Sequence, residues 1–206
     1  MVFGSNADDK PNKKFDGFAF DNFQINNRNR LVLMEYFTNQ AIANAASKDH
    51  QIEKFVATKN EMINLHYHVG FPGRDEANTL NHKDPSGRSF HYGIKQAPQA
   101  VIDGSTQEAT QFDQDWAERV FFYHTLIMAP FDITINQAKH KNGTLSFATT
   151  IAALQQFDKK VIVHAVVVDT AVNMGGELYH QVVRKMLPDA SGTFLDKTWA
   201  PGTAHT

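Results

Sequence analysis

From Arg30 the chain reads "RLVLMEYF", an apolar run through residue 37 that includes Leu31, Leu33 and Tyr36. A run this dense predicts a strand covered on both faces. From Ala41 the period changes. "AIANAASKDHQIEKFVATKNEM" sets Ile42, Ala45, Ile52, Phe55 and Val56 at helical spacings, with Asn39 or Thr38 as the cap. "NLHYHVGF" (64 to 71) then alternates, with Leu65, Tyr67, Val69 and Phe71 on one face and His66 and His68 on the other. Strand, helix and strand at these separations suit a right-handed crossover unit.

Before this unit, residues 1–14 are polar and turn-rich and read as a loose leader, and "FDGFAFDNFQ" (15 to 24) reads as an edge strand. After it, the polar stretch from Pro72 is broken by Gly73, Pro85, Ser86 and Gly87 and predicts a loop and a short helix leading to "HYGI". "QAVIDG" (99 to 104) is a strand ending in an Asp-Gly hairpin signal. Phe112, Trp116, Val120 and Tyr123 then form a helical stripe that closes a first domain, 15–128, with Trp116 as a partly buried anchor. Beyond Pro130 the pattern is all β. Phe131, Ile133 and Ile135 alternate, the turn "HKNG" follows, and Leu145, Phe147, Thr149 and Ile151 alternate again. "KKVIVHAVVVDTAV" (159 to 172) predicts one central strand, while "GELYHQVVRKMLPD" fits a helix or a strand equally. Residues 129–206 are thus expected to form a meander or half of a β-sandwich, with Trp199 packing on it.

Composition narrows the chemistry. Of 206 residues, 42% are apolar and 16 are Phe, enough for a sizeable core. A formal charge of −2 gives no electrostatic reason for a nucleic-acid or anionic-membrane partner. No apolar run reaches the roughly 18 residues of a membrane span, and the N-terminus lacks the apolar core of a signal peptide. The absence of cysteine excludes disulfides, thiolate metal sites and thiol chemistry.

Ten histidines raise a metal reading, in which His66 and His68 take a third ligand from His91, Asp75 or Glu35. Zinc or copper needs three convergent ligands, and two histidines on a strand meet only part of that requirement. The alternative is that they pack, hydrogen-bonded, between sheet and helix. No Gly-x-Ser-x-Gly elbow surrounds Ser47, Ser86 or Ser89, and no Gly-rich phosphate loop follows a strand. "FPGRDE" lies beyond the C-terminal end of a parallel strand, where open sheets present their sites. There Arg74 is a candidate to hold a carboxylate or a glycan, and Asp75 to cap the next helix. His180 and Arg184 read as a polar edge.

The corner between the first strand and helix is the most informative stretch. A dithiol site needs two cysteines, separated by two residues, at a helix N-terminus where the dipole favours a thiolate. The corresponding positions here hold Ile42 and Ala45, which cannot store electrons. The stretch "MEYFTNQAIANAAS" nevertheless resembles the outer-membrane-protein-28-related family of Bacteroidetes. Glu35, Phe37, Thr38, Gln40 and Asn44 match that family's corner, whereas Ala41 replaces its tryptophan, Ile42 and Ala45 its cysteines and Ala46 its proline. "HYHVGFPGRDEA", "FHYGIKQAPQAVIDG" and "YHQVVRKMLPDASG" extend the resemblance over nearly all of residues 30 to 195.

The resemblance implies an α/β thioredoxin-like fold followed by a partial all-β sandwich-like domain, with Pro98 as the cis-proline facing the corner. Where the family continues with further sandwich strands this chain ends in "FLDKTWAPGTAHT", so the sandwich is expected to be truncated or completed differently. It further implies an exported, periplasmic or cell-surface protein that is not an enzyme, uses no cofactor and binds peptide, protein or glycan in a cleft with Arg74 and Tyr92. Two other readings stand beside it: a thiol-disulfide oxidoreductase relative whose cysteines were lost or removed, and a metal-binding protein using His66 and His68. Bare sheet edges in the β part would allow a homodimer.

Overall fold

A computed structural model describes residues 30–105 and 112–206 of the chain. The expected leader and the strand at 15–24 lie outside the described residues. The fold is mixed α/β. Strand β1 (Val32–Thr38) leads to helix α1 (Ala45–Ala57) and strand β2 (Met62–His68), which pairs with β1 in parallel. Two short helices follow, α2 (Glu76–Leu80) and α3 (Lys83–His91), then β3 (Gln99–Ile102), antiparallel to β1. Asp103 and Gly104 both take positive φ, 48° and 74°, as the Asp-Gly turn demands. Residues 106–111, which follow the turn, lie outside the described residues. Phe112 then packs on the core, as does the helix that follows it, α4 (Gln114–Thr125), through Trp116, Ala117, Val120 and Phe121, while Tyr123 of the expected stripe is exposed.

The dense apolar run does become a strand with both faces covered. Val32, Met34 and Tyr36 pack with Ile52 and Phe55 of α1 and Ala117 and Val120 of α4. Phe37 packs on the opposite face with Tyr67, Tyr92, Ile94 and Val101. Full burial of such side chains contributes about 1.5–3 kcal/mol each, which accounts for the dominance of this sheet over local preferences.

Beyond Pro130 come β4 (Phe131–Lys141), β5 (Thr144–Ala153), β6 (Val161–Val163), β7 (Ala165–Met174), β8 (Glu177–Leu187), β9 (Thr193–Leu195) and β10 (Ala204–His205). The change to all-β structure at Pro130 is as expected, but it does not divide the sheet. Strands β8 and β7 join the first three in the order β3-β1-β2-β8-β7, with β8 parallel to β2 and antiparallel to β7. Strands β10-β5-β4 form a second sheet and β6-β9 a ribbon, around a separate cluster of Phe131, Ile151, Phe157, Val161, Leu195 and Trp199. Trp199 is 1% exposed there, packed as expected.

One expectation is corrected and one open alternative is resolved. The single strand at 159–172 breaks at His164, because β6 pairs with β9 and β7 with β8. The chain changes sheets at that residue, against a close approach by Gly192. The segment at 176–189, open between helix and strand, carries β8 (Glu177–Leu187). An extra residue at Arg184, between the pairs Val167–Lys185 and Val168–Val183, and a left-handed Gln181 (φ 53°) disturb its alternation. Its buried residues Tyr179, Val182, Val183 and Met186 therefore fall at helix-like spacings.

Candidate functional site

The corner after β1 is held by polar side chains that reach across to the loop after β2. Neither Thr38 nor Asn39 caps α1, which begins only at Ala45, behind a left-handed Asn44 that makes no capping bond. Both polar groups are engaged elsewhere. The buried Asn39 amide donates to the carbonyls of Val69 (2.6 Å) and Gly73 (2.8 Å), and its oxygen accepts from the Ala41 amide at 2.7 Å. The Thr38 hydroxyl donates to Asp49 of α1 at 3.0 Å. Gly73 is required by proximity, since a Cβ there would lie 2.7 Å from that of Ala41.

Asp75 organises the other side. As expected it caps α2, accepting from the Asn78 amide at 2.9 Å. Its second oxygen accepts from the Gln40 amide at 2.9 Å and from His68 Nδ1 at 2.8 Å. Burial works against its charge, but the hydrogen bond and charge of His68 and the two backbone amides outweigh it and hold the carboxyl below the usual range. Gln40 in turn accepts from the Glu76 amide at 2.7 Å, and its side chain meets the Tyr179 hydroxyl.

Tyr179 comes from β8, and the turn between β7 and β8 reaches the same place. Gly175 and Gly176 take positive φ, and a Cβ on Gly175 would sit 3.7 Å from the side-chain Nε2 of Gln40. Between this turn, the corner and the β2–α2 loop lies an open cavity of about 530 Å³, lined by Gln40, Arg74, Glu76, Met174, Gly175, Glu177 and Tyr179. Arg74, Glu76 and Glu177 are exposed and make no ion pair among the described residues. Three uncompensated charges of both signs, a primary amide and a phenol ring thus share one concave surface.

The other sequence candidates fall as follows. Ile42 is half-buried and Ala45 buried, in consecutive turns closed by Ile42 N to Asn39 O and Ala45 N to Ile42 O. Pro98 follows a cis peptide and is buried, and the Phe37–Gln99 pairing puts it at the corner end of the sheet. Tyr92 is 8% exposed, on the face opposite His66 and His68. It closes a buried network in which Arg88 donates to both Glu35 oxygens (2.7 and 2.9 Å) and to the Tyr92 hydroxyl, which donates to Glu35. Its hydroxyl is thereby fully engaged inside the protein.

His66 and His68 share a face, as the alternation requires, and that face lies under α1. His66 meets Asn64 through Nε2 at 2.7 Å and Tyr36 edge-on, and burial pushes its pKa down to about 3. His68 is committed to Asp75 and packs edge-on against Tyr179. Glu35 and Tyr92, with neighbouring His91, belong to the other face, so neither Glu35 nor His91 converges on the two histidines. Among the described residues no group of three His, Asp or Glu is arranged to hold a metal.

Reading the chain found Arg74 and Asp75 but missed Gln40, Glu76, Met174, Gly175, Glu177 and Tyr179. The Gly175-Gly176 pair marks a tight turn in the sequence. Nothing local shows that this turn docks on a corner more than 130 residues earlier.

No protein-family model matches the sequence, and no curated protein matches it. Two solved structures resemble it. HBP35 of Porphyromonas gingivalis superposes with a TM-score of 0.66 at 12% identity, over 87% of this chain and 63% of that one. A protein of Agrobacterium tumefaciens gives a TM-score of 0.57 at 16% identity, over 85% of this chain and 77% of that one. This chain therefore spans less than two thirds of the length of HBP35. The likeness is one of fold, and the first neighbour is a Bacteroidetes protein.

Proposed function

We propose that this chain is an exported, non-catalytic cell-envelope protein that binds a polypeptide segment or glycan in the cavity beside its cysteine-free corner. The scaffold is read as thioredoxin-like, extended by β7 and β8 and joined to a partial β-sandwich-like unit, in a distant relative of the outer-membrane-protein-28-related family. The fold likeness to a Bacteroidetes protein supports that relationship.

One observation carries the reading: Arg74, Glu76 and Glu177, all without ion-pair partners among the described residues, line the same cavity as Gln40 and Tyr179. A groove with both signs of charge, hydrogen-bonding amide and hydroxyl groups and a Met174 wall suits an extended peptide better than a purely apolar or purely anionic ligand. Ile42 and Ala45, at the neighbouring corner, cannot react, so any role of the corner rests on contact and shape. Tyr92, engaged by Glu35 and Arg88, supports the sheet beneath and is dropped from the binding set.

Binding to immobilised peptide and glycan arrays, followed by titration calorimetry on the best hits, tests the reading. Arg74→Ala and Glu177→Ala should each weaken a peptide hit by about 5- to 30-fold, the cost of losing one charge-assisted contact of ~1–2 kcal/mol. Hits that bind both variants as tightly as the parent protein would place the site elsewhere.

A further inference from the structure

Strand β4 lies at the margin of its sheet. The order β10-β5-β4 leaves its outer edge without a neighbour among the described residues, over the 11 residues Phe131–Lys141. Such an edge presents a row of free amides and carbonyls, and proteins usually blunt it with a bulge or with lysines. Here both devices are confined to the C-terminal half, where the register shifts between Asn136 and Lys139 and where Lys139 and Lys141 are exposed. The half from Phe131 to Ile135 is regular and carries two isoleucines that are 61% and 67% exposed, Ile133 and Ile135.

The pairing with β5 assigns each side chain of β4 to a face. Ile133 and Ile135 lie opposite Ile151 and Thr149, on the face that His140 and Leu145 share beyond the bulge. This side continues into an apolar cavity of about 430 Å³ walled by Ile133, Ile135, Leu145, Phe147, Val163 and Val166. Asp132, Thr134, Asn136, Lys139 and Lys141 lie opposite Ala152, Thr150, Ala148, Ser146 and Thr144, on the other face. The strand therefore has an acid at its start and two lysines near its end, all on one side. None of these three charges has an ion-pair partner among the described residues.

We infer that the β4 edge pairs with the β4 edge of a second copy of this chain, antiparallel about a two-fold axis near Ile135. Antiparallel pairing of a strand with itself puts the start of one copy against the end of the other. With Ile135 near the axis, the extra residue of the bulge brings Asp132 of one copy opposite Lys139 of the other, on the same face, with Lys141 diagonal to it. The opposite face then sets Ile133 and Ile135 of the two copies side by side. The three-stranded sheet becomes six-stranded, its bare β4 edge is covered in both copies, and its exposed isoleucines and unpaired charges are matched together. Charge complementarity singles out a second copy over an unrelated strand, because the strand is its own complement.

Sedimentation velocity on the full chain, from 1 to 100 μM at low salt, should show a monomer–dimer equilibrium. Lys139→Glu with Lys141→Glu should weaken the dimer about tenfold or more, since each pair occurs twice across the axis and the reversal makes like charges face each other. Adding Asp132→Lys to that variant restores opposite signs and should recover most of the affinity, which a general loss of folding would not permit. Ile135→Asp should also dissociate the dimer while far-UV circular dichroism stays unchanged. A monomer throughout the range overturns the inference, as does a dimer indifferent to the reversal or one not recovered by the Asp132 exchange.

Discussion

Replacing Asp75 by alanine removes one carboxylate and strands three donors: the Asn78 amide, the Gln40 amide and His68 Nδ1. Loss of the α2 cap costs about 1 kcal/mol. A buried donor left without an acceptor costs ~1–3 kcal/mol. Half-buried Gln40 can recover water and falls at the low end, whereas the His68 side chain is 1% exposed and cannot. The whole loss should be about 3 kcal/mol, or a fall in Tm of roughly 6–12 °C for a chain of this size. Urea unfolding followed by circular dichroism measures it, with an unchanged m-value as the control that the unfolded ensemble is the same. Asp75→Asn keeps one acceptor but turns an NH2 towards at least one of the donors, so its loss should be intermediate. The pH dependence has a definite sign. The folded-state carboxyl titrates below its ordinary value of about 3.9, so its stabilisation is present above pH ~4 and is lost as the pH falls further. The gap between parent and Asp75→Asn should therefore narrow below pH ~4. A loss under ~0.5 kcal/mol in the alanine variant at pH 7, against the 1–3 kcal/mol of a stranded buried donor, would refute the view that this carboxylate ties the corner to the β2–α2 loop.

Asp49 should behave in the opposite sense. Burial raises its pKa to about 6 in spite of the Thr38 hydroxyl, so the folded state holds its proton more tightly than the unfolded state and stability falls as the pH rises from ~4 to 6. Asp49→Asn should remove that slope and gain on the order of 1–3 kcal/mol at pH 7; equal denaturation midpoints for parent and variant at pH 4.5 and 7.5 would contradict it. Arg88→Ala leaves Glu35 buried without its counterion and should cost about 3–5 kcal/mol by urea unfolding. Arg88→Met combined with Glu35→Met should cost much less, and a double variant as damaged as the single one would show that packing, not charge, is at stake.

Much of the first half of the molecule is legible in the chain because its signals are local. The dense run at β1, the 3.6-residue spacing of α1 and the alternation that sends His66 and His68 to one side each follow from which residues can be buried together. The Asp75 cap and the Asp103-Gly104 turn are likewise set within a few residues. The lack of cysteine settles by itself that the corner performs no thiol chemistry.

Long-range pairing decided the rest. Strand β8 completes the first sheet because β2 has an open edge and Val182, Val183 and Met186 need cover, a fact about surfaces distant in sequence. The same docking carries Gly175, Glu177 and Tyr179 to Gln40 and Arg74 and so creates the cavity. The start of α1 was also beyond local reading, because Asn39 bonds to carbonyls 30 and 34 residues away instead of capping the helix. Residue order sets what each segment prefers to bury. Which unpaired edge and which unsatisfied polar group meet is fixed only when the whole chain competes for them at once.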